Sequence, residues 1–184
     1  MEFKMQNIAG LNGYIYPVLK GSNYYCVPTC LRMVMASMNY FVEDQEILKY
    51  FELYTNVDTN DENQYGIHIN NGDLDNLFTR LNIPLTEKYI PISHIPDIQF
   101  TELICQLLKE RNHVLCGYSY GFLFSKQELL KIGHVSIIAN TNEKYVDIID
   151  PGPDSFGIKQ VKEDVLYDSI RYKGDGLWVL RAKI

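Results

Sequence analysis

The sequence holds the residue types that covalent acyl transfer needs: a cysteine nucleophile, a histidine base and a carboxylate that orients the histidine. The candidate nucleophile, Cys26, directly precedes residues 27–40, an almost wholly apolar segment that predicts a buried helix. A thiol at the start of a helix has its pKa lowered by unpaired N–H groups and by the positive end of the helix dipole. The same N–H groups are suited to bind the oxyanion that develops on a substrate carbonyl. Cys26 therefore lies where a reactive thiolate is favoured.

The candidate base and carboxylate, His134 and Asp150, border a predicted β-hairpin. Residues 134–140 and 145–150 have strand character and are joined by a short polar loop. With the turn centred on Asn142, His134 and Asp150 lie directly opposite each other on one face, with Cβ atoms about 5 Å apart. A carboxylate at that distance fixes the tautomer of the imidazole and supports its charged form. A register slip of one residue would place the two side chains on opposite faces of the sheet. Judged from the hairpin alone, the simpler interpretation is that His134 only begins a strand and Asp150 only begins a turn.

The other three cysteines are weaker candidates. Cys30, one helical turn deeper in the same apolar segment, is the rival nucleophile. Cys105 and Cys116 fall in an amphipathic helix and an apolar strand, where packing is the ordinary role of cysteine. No Cys-x-x-Cys pair occurs, and the spacings match no zinc module. We therefore predict no organic cofactor and no metal site, either from these cysteines or from the histidines. The histidines are His68, His94, His113 and His134.

Charge and hydropathy exclude several classes of partner. The chain has 184 residues and a formal net charge of -6, and no cluster of Lys or Arg is present to neutralise nucleic-acid phosphates. Residues 1–21 lack the charged and continuous apolar regions of a signal peptide. No run approaches the roughly 18 apolar residues that a membrane span needs. We therefore expect one cytoplasmic domain over residues 1–184, with no nucleic-acid and no membrane partner.

The order of the predicted elements indicates the fold class. Helices come first and strands last, which favours an α+β architecture whose helical half, with the nucleophile helix buried, packs on an antiparallel sheet. Asn71 is expected to cap the third helix. Residues 1–21 are predicted as a strand and turns, and residues 84–96 as irregular or edge strand. The predicted helices span residues 27–40, 44–54, 72–81 and 100–111. The predicted strands span residues 114–122, 133–140, 145–150 and 176–183.

Two blocks of the sequence resemble the C39-like peptidases, a papain-like group. Residues 24–34 (YYCVPTCLRMV) resemble the nucleophile segment, whose usual pattern is Asp-Cys-Gly-x-Ala-Cys-Leu-x-Met followed by an apolar residue. Residues 133–153 (GHVSIIANTNEKYVDIIDPGP) resemble the later block, a His followed by two β runs and Asp-Pro. The resemblance implies a papain-like fold in which Cys26 is the nucleophile, His134 the general base and Asp150 the carboxylate that orients it.

Three positions depart from the pattern of that family. Tyr25 and Val27 replace the usual Asp and Gly on either side of the nucleophile. The family also carries a Gln about six residues before the nucleophile, as the side-chain donor of the oxyanion hole, and this chain has Lys20 there. We nominate Asn23 as the substitute donor, with a turn residue after Gly21 as the alternative interpretation. Loss of one such donor typically lowers the rate by about 10²–10³-fold.

Three functions follow from the candidate site and the resemblance. The first is amide formation by acyl transfer from a thioester or peptidyl donor, as in the papain-like acyltransferases of closthioamide and butirosin assembly. The second is cysteine peptidase or amide hydrolase activity of the C39-like type, and the third is a non-catalytic papain-like binding module. The implied partners are a peptide or acyl-thioester substrate and, for the first function, a carrier protein. Either water or an amine can resolve the same acyl-enzyme, so the sequence leaves hydrolysis and synthesis open.

Overall fold

The computed structural model describes residues 6–21, 25–52, 69–152 and 156–183, with the side chain of Glu52 excepted. The early part of the chain forms a helical layer. A two-stranded antiparallel hairpin of β1 (Asn7–Ala9) and β2 (Ile15–Pro17) precedes it. The helices of this layer are α1 (Cys26–Ser37), α2 (Asp44–Glu52) and α3 (Asp73–Arg80).

The later part of the chain forms a six-stranded antiparallel sheet with the strand order β3-β8-β4-β5-β6-β7. The strands are β3 (Leu85–Pro91), β4 (His113–Ser119), β5 (Gly133–Thr141), β6 (Tyr145–Asp150), β7 (Gly157–Lys162) and β8 (Gly176–Ala182). The helices between them are α4 (Phe100–Lys109), the single turn α5 (Tyr120–Leu123) and α6 (Glu163–Lys173). Strand β8, the last of them along the chain, lies inside the sheet between β3 and β4.

The sheet carries a hydrophobic core on each face, because alternate residues of a strand point to opposite sides. Leu115, Ile137 and Ile149 belong to the core shared with α1, α2 and α3. Their neighbours Val114 and Ile138 belong to the second core, which α4 and α6 cover. The prediction of an α+β fold with a helical half on an antiparallel sheet is confirmed.

Helix α1 is the buried helix that the apolar segment predicts. Leu31, Met33 and Val34 are fully buried in the first core. Arg32, the one charged residue of the helix, pairs with Asp44 of α2, with 2.9 Å between Nη1 and Oδ2. The helix begins at Cys26, one residue earlier than predicted, and ends at Ser37. The candidate nucleophile therefore lies in the first turn of a helix whose later residues are packed in the core.

The start of α3 differs from the prediction. Gly72, and not Asn71, occupies the cap position, with a φ of 93° that a glycine adopts without strain. No side chain of the segment caps the helix. The carboxylate of Glu87, on β3, accepts hydrogen bonds from the N–H groups of Gly72 and Leu74, the latter at 2.7 Å. The cap thus comes from a neighbouring strand, which local sequence patterns do not reveal.

The strand predicted over residues 114–122 ends at Ser119. The Ser119 hydroxyl accepts a hydrogen bond from the Phe122 N–H at 3.3 Å and so starts the helical turn α5. Strand β7 and helix α6 lie where no element was predicted, so helices are not confined to the early part of the chain. Within the described ranges, none of the helices has the length and apolar character needed to cross a membrane.

Candidate active site

The nucleophile candidate occupies the tip of α1. Cys26 is the first residue of the helix and is partly exposed, whereas Val27 and Pro28 behind it are buried. The first N–H groups of a helix have no partner within it, and Pro28 has no N–H to offer. The helical ladder starts at Thr29, whose N–H donates to the Tyr25 carbonyl at 3.0 Å. The N–H groups of Cys26 and Val27 are therefore the polar groups of the helix tip beside the sulfur.

His134 and Asp150 are in direct contact. The distance between His134 Nε2 and Asp150 Oδ1 is 2.8 Å. The Asp150 side chain is fully buried, and the His134 side chain is 10% exposed. The N–H of Gly152 donates to the same carboxylate oxygen at 2.9 Å, and its φ of 81° makes the turn that brings the donor round. The carboxylate is thus held from two directions, and Nδ1 is the imidazole nitrogen left to meet the sulfur.

The pairing that produces this contact is not the predicted one. The register of β5 against β6 aligns Ile137 with Ile149 and Ile138 with Ile148, and an irregularity follows between Ile138 and Asn140. Continued toward the site, this register sets Asp150 opposite Ser136, not opposite His134. The hairpin prediction was therefore wrong by two residues. Because a shift of two keeps both side chains on one face, His134 and Asp150 meet as a diagonal pair.

The electrostatics of Cys26 and His134 are coupled. Burial alone would raise the pKa of the Cys26 thiol, but its hydrogen bond with His134 and the imidazole charge lower that pKa below its ordinary value. Backbone hydrogen bonds from Val135 and Val27 lower it further. Burial alone would lower the pKa of His134, yet its hydrogen bonds with Asp150 and Cys26 raise that pKa to about 9. Both shifts favour a thiolate–imidazolium pair.

Two tyrosines position the imidazole, and neither was assigned this role from the sequence. Tyr118 lies directly opposite His134 on β4 and meets its ring edge-on, with 5.6 Å between centroids. Tyr120 packs edge-on from another side at 5.3 Å. The Tyr118 hydroxyl is hydrogen-bonded to the Ser136 hydroxyl at 2.9 Å. Both tyrosines therefore pack against the His134 ring.

The rival nucleophile is in a different environment. Cys30 is fully buried, and its thiol donates to the Val135 carbonyl at 3.5 Å. Burial and the neighbouring Cys26 raise the pKa of Cys30 well above its ordinary value. Cys116 is also fully buried, and burial raises the pKa of its thiol as well. Both thiols therefore stay neutral at physiological pH, whereas a reactive cysteine must be ionised to act as a nucleophile.

The chain that approaches the nucleophile is anchored beside the carboxylate. The Gly21 N–H donates to the Pro151 carbonyl at 2.7 Å, next to Asp150 in the sequence. Lys20, at the position of the family's Gln, is exposed. Asn23, the nominated oxyanion-hole donor, lies outside the described residues, and that nomination stays a prediction. Over the described part of the chain, which leaves out His68, no group of three or more His, Cys, Asp or Glu side chains is arranged to hold a metal ion.

The architecture is that of the C39-like peptidases. A protein assigned as a C39-like peptidase from Bacillus anthracis matches 97% of this chain and 100% of its own, with a TM-score of 0.61 and 13% identity. The peptidase domain of Streptococcus ComA, a bifunctional ABC transporter involved in quorum sensing, matches 91% of this chain and 97% of its own, with a TM-score of 0.55 and 12% identity.

A double glycine motif protease from an AMS/PCAT transporter, solved in complex with the leader peptide, matches 96% of each chain with a TM-score of 0.53 and 15% identity. No protein-family profile matches the sequence, and no curated protein matches it. Identities of 12–15% carry the fold and no more. The expected papain-like, C39-like fold is therefore confirmed.

Proposed function

We propose that this chain, which has the C39-like peptidase fold, is a cysteine peptidase that works through an acyl-enzyme on Cys26. In this proposal His134 is the acid–base residue and Asp150 orients it. The observation that carries the proposal is the connected set of contacts from the Cys26 sulfur through the His134 ring to the buried Asp150 carboxylate. A nucleophile, a base in reach of it and a third group that orients the base are the signature of nucleophilic catalysis.

The acylation step follows from the charge state of the pair. The Cys26 thiolate attacks the carbonyl carbon of the scissile peptide bond, and the negative charge moves to the carbonyl oxygen. The N–H groups at the tip of α1 are placed to bind that oxygen. When the C–N bond breaks, the proton of the His134 imidazolium passes to the leaving amine, and a thioester on Cys26 remains.

The deacylation step uses the same groups in reverse. His134, now neutral, accepts a proton from water while the water oxygen attacks the thioester carbon. The C–S bond breaks, the carboxylic acid leaves, and the thiolate–imidazolium pair is restored. Asp150 keeps the imidazole in one orientation through both steps, because Nε2 stays bound to its carboxylate at 2.8 Å.

Hydrolysis is favoured here over the amide-forming transfer that the sequence analysis placed first. The three structural neighbours are named as peptidases or a protease, and amide formation has no support from them. The non-catalytic alternative is disfavoured by the contrast within α1, since burial leaves Cys30 with a raised pKa whereas His134 lowers that of Cys26. Amide formation stays a prediction that shares the same acyl-enzyme.

A product analysis tests the proposal. The purified protein is incubated with a panel of peptides, Gly-Gly peptides included because one neighbour is a double glycine motif protease, with and without glycinamide as an amine acceptor. We expect cleavage to a free carboxylic acid in both cases, detected by mass spectrometry. Product found only as the amide would replace hydrolysis by transfer. Absence of cleavage together with absence of any acyl adduct on Cys26, from peptides or thioesters, would overturn both.

The shifted pKa values predict two different pH profiles. Peptide hydrolysis should fall in acid as the Cys26 thiolate is protonated, with a midpoint below the ordinary thiol pKa. It should fall again as the pH rises through about 9, where His134 loses the proton that the leaving amine needs. Alkylation of Cys26 by iodoacetamide needs only the thiolate, so its rate should follow the acid limb and show no alkaline fall.

These profiles are measured by initial rates of hydrolysis and by the rate of mass increase with iodoacetamide over the same buffers. An alkylation midpoint at the pKa of a free thiol would contradict the coupling of Cys26 to His134. An alkylation rate that falls above pH 9 in parallel with hydrolysis would show instead that the protein unfolds there, which circular dichroism at each pH checks.

A further inference from the structure

A second thiol lies beside the candidate nucleophile and has no part in the proposed mechanism. Cys30 follows Cys26 by four residues in α1, so both side chains lie on one face of the helix. Cys26 is partly exposed at the helix tip, whereas Cys30 is fully buried one turn deeper. A small reagent that enters the site therefore meets Cys26 first, with Cys30 behind it.

Both sulfurs face the same residue of β5. The Cys30 thiol donates to the Val135 carbonyl at 3.5 Å, and the Val135 N–H is hydrogen-bonded to the Cys26 sulfur. In an extended strand the N–H and C=O groups of one residue point to the same side of the chain. The two sulfurs therefore lie side by side along one edge of β5. In keeping with this, the charge of Cys26 is, after burial, the largest cause of the raised pKa of Cys30.

Helical geometry brings residues four apart close to the spacing of a disulfide. Their Cα atoms are about 6 Å apart, inside the range of about 4.4–6.8 Å that disulfides span. Their Cβ atoms are about 5–6 Å apart in a regular helix and must approach to about 4 Å. The tip of α1 therefore has to tighten by about 1–2 Å before the two sulfurs can bond.

The first turn of α1 is the part of the helix that can make this movement. Its cap residue, Tyr25, supplies no side-chain hydrogen bond, and Pro28 has no N–H to add to the helical ladder. The ladder starts with the hydrogen bond from the Thr29 N–H to the Tyr25 carbonyl. Leu31 and Val34, further along the helix, are fully buried. A shift confined to the tip leaves these core residues in place.

The charge state of Cys26 supplies the reactivity. Peroxides oxidise the thiolate form of cysteine. Although burial opposes it, the hydrogen bond with His134 and the imidazole charge lower the pKa of Cys26 below its ordinary value. Cys30 stays neutral because burial raises its pKa. An accessible thiolate next to a second thiol is the arrangement found in redox-sensing cysteines.

We propose that Cys26 and Cys30 form a reversible disulfide that switches the active site off in the presence of peroxide. This inference rests on the proposed function, in which Cys26 is the reactive thiolate, and adds a mode of regulation to it. The disulfide removes the nucleophile from catalysis. It also protects Cys26, because a sulfenic acid without a resolving thiol is oxidised further to sulfinic acid, which thiols do not reduce.

The switch closes in two steps. The Cys26 thiolate attacks one oxygen of hydrogen peroxide, the O–O bond breaks and hydroxide leaves, so that a sulfenic acid remains on Cys26. The Cys30 sulfur then attacks the Cys26 sulfur, the S–O bond breaks, and the hydroxyl group leaves with the Cys30 proton as water. The two thiols together lose two electrons, and the peroxide gains them. Dithiothreitol reverses the oxidation by thiol–disulfide exchange.

Peptide mapping after brief treatment with hydrogen peroxide tests the switch. Trypsin cuts after Lys20 and Arg32, so the peptide of residues 21–32 carries Cys26 and Cys30 and no other cysteine. The treated protein is denatured and alkylated with iodoacetamide in the absence of reductant. We expect this peptide to take up no iodoacetamide and to be about 2 Da lighter than its reduced form. After dithiothreitol both cysteines should be alkylated.

Two variants assign the bond to Cys30. In Cys30→Ala the sulfenic acid has no resolving thiol, so Cys26 should proceed to sulfinic acid. The fraction of Cys26 that dithiothreitol restores to iodoacetamide reactivity should then be at least about fivefold lower than in the wild type. Cys105→Ala removes the other partly exposed cysteine and should recover as the wild type does.

Three results would overturn the switch. The first is sulfinic acid on Cys26 of the wild type without the lighter peptide. The second is a bond from Cys26 to Cys116 or to another molecule in place of the bond to Cys30. The third is equal recovery in Cys30→Ala and the wild type. The first two are read on the wild-type protein and need no variant to fold.

Failure of the switch is distinguishable from failure of the peptidase function, because the mapping needs no peptide substrate. If Cys26 of the native protein reacts with neither peroxide nor iodoacetamide, it is not a reactive thiolate and both proposals fail. If iodoacetamide alkylates Cys26 but peroxide forms no disulfide, only the switch fails. If the disulfide forms and no peptide is cleaved by the reduced protein, the switch stands and the peptidase activity fails.

Discussion

Replacement of Cys26 by alanine is expected to abolish peptide hydrolysis, leaving no acyl adduct and a rate equal to that of the buffer. The thiolate is the group that forms and later releases the thioester, and no described neighbour can take its place because the Cys30 thiol is buried with a raised pKa. Removal of a nucleophile in enzymes of this kind lowers the rate by about 10⁶-fold. The measurement is product formation by mass spectrometry, together with the circular dichroism of the variant to show that it folds.

The matched control is Cys30→Ala, one helical turn away. This change removes a small buried group whose thiol donates to the Val135 carbonyl at 3.5 Å. It should cost about 1–2 kcal/mol in the free energy of unfolding while most of the activity is kept. Full activity in Cys26→Ala, or loss of acylation in Cys30→Ala with Cys26 intact and the protein folded, would assign the nucleophile to the wrong cysteine.

Replacement of His134 by glutamine is expected to lower hydrolysis by about 10³-fold or more and to slow the alkylation of Cys26 at neutral pH. The first effect comes from loss of the acid–base group, which contributes about 10²–10⁴-fold in enzymes. The second arises because the hydrogen bond and charge of His134 hold the pKa of Cys26 down. Without the imidazole, burial raises that pKa and the thiolate becomes scarce. Glutamine retains a polar group that can donate to Asp150, which limits damage to the hairpin.

The pH dependence of iodoacetamide labelling separates chemistry from folding in this variant. In His134→Gln the midpoint of labelling should move to higher pH, and a structural defect alone would not produce that shift. His94→Gln is the matched control, because His94 is exposed and lies in a short turn after β3. It should change neither the midpoint nor the hydrolysis rate. An unchanged labelling midpoint in His134→Gln would show that His134 does not act on the sulfur.

Much of the fold is predictable because its signals are local. The apolar segment that becomes α1 and the alternating strands β5 and β6 were placed within a few residues of their observed bounds. The cap of α3 was not predicted correctly. Its acceptor, Glu87, lies on a strand and reaches the N–H groups of Gly72 and Leu74 only after folding. Local sequence patterns indicate which element a segment can form by itself. They do not indicate which distant residues will contact that segment after folding.

The candidate site shows the same division. The types and approximate places of Cys26, His134 and Asp150 could be predicted, since a helix start and a hairpin are recognisable along the chain. The pairing of β5 with β6 was mispredicted because the turn is centred between Glu143 and Lys144, not on Asn142, and the irregularity after Ile138 then moves the register back by only one residue. The contact between His134 and Asp150 tolerates that error, as a shift of two residues preserves the face. The packing of Tyr118 and Tyr120 against His134 could not be predicted either, because it depends on the pairing of β4 with β5.

The place of β8 between β3 and β4 has a consequence for how the protein is made. On the ribosome, the β5–β6 hairpin with its His134–Asp150 contact can form early, since its residues are near in sequence. Strand β3 has no other neighbour in the sheet and must wait for β8, synthesised roughly ninety residues later, to close the gap. Contacts of such long range form slowly. Strand β3 is therefore expected to be the last strand to join the sheet, after the contact between His134 and Asp150 can already have formed.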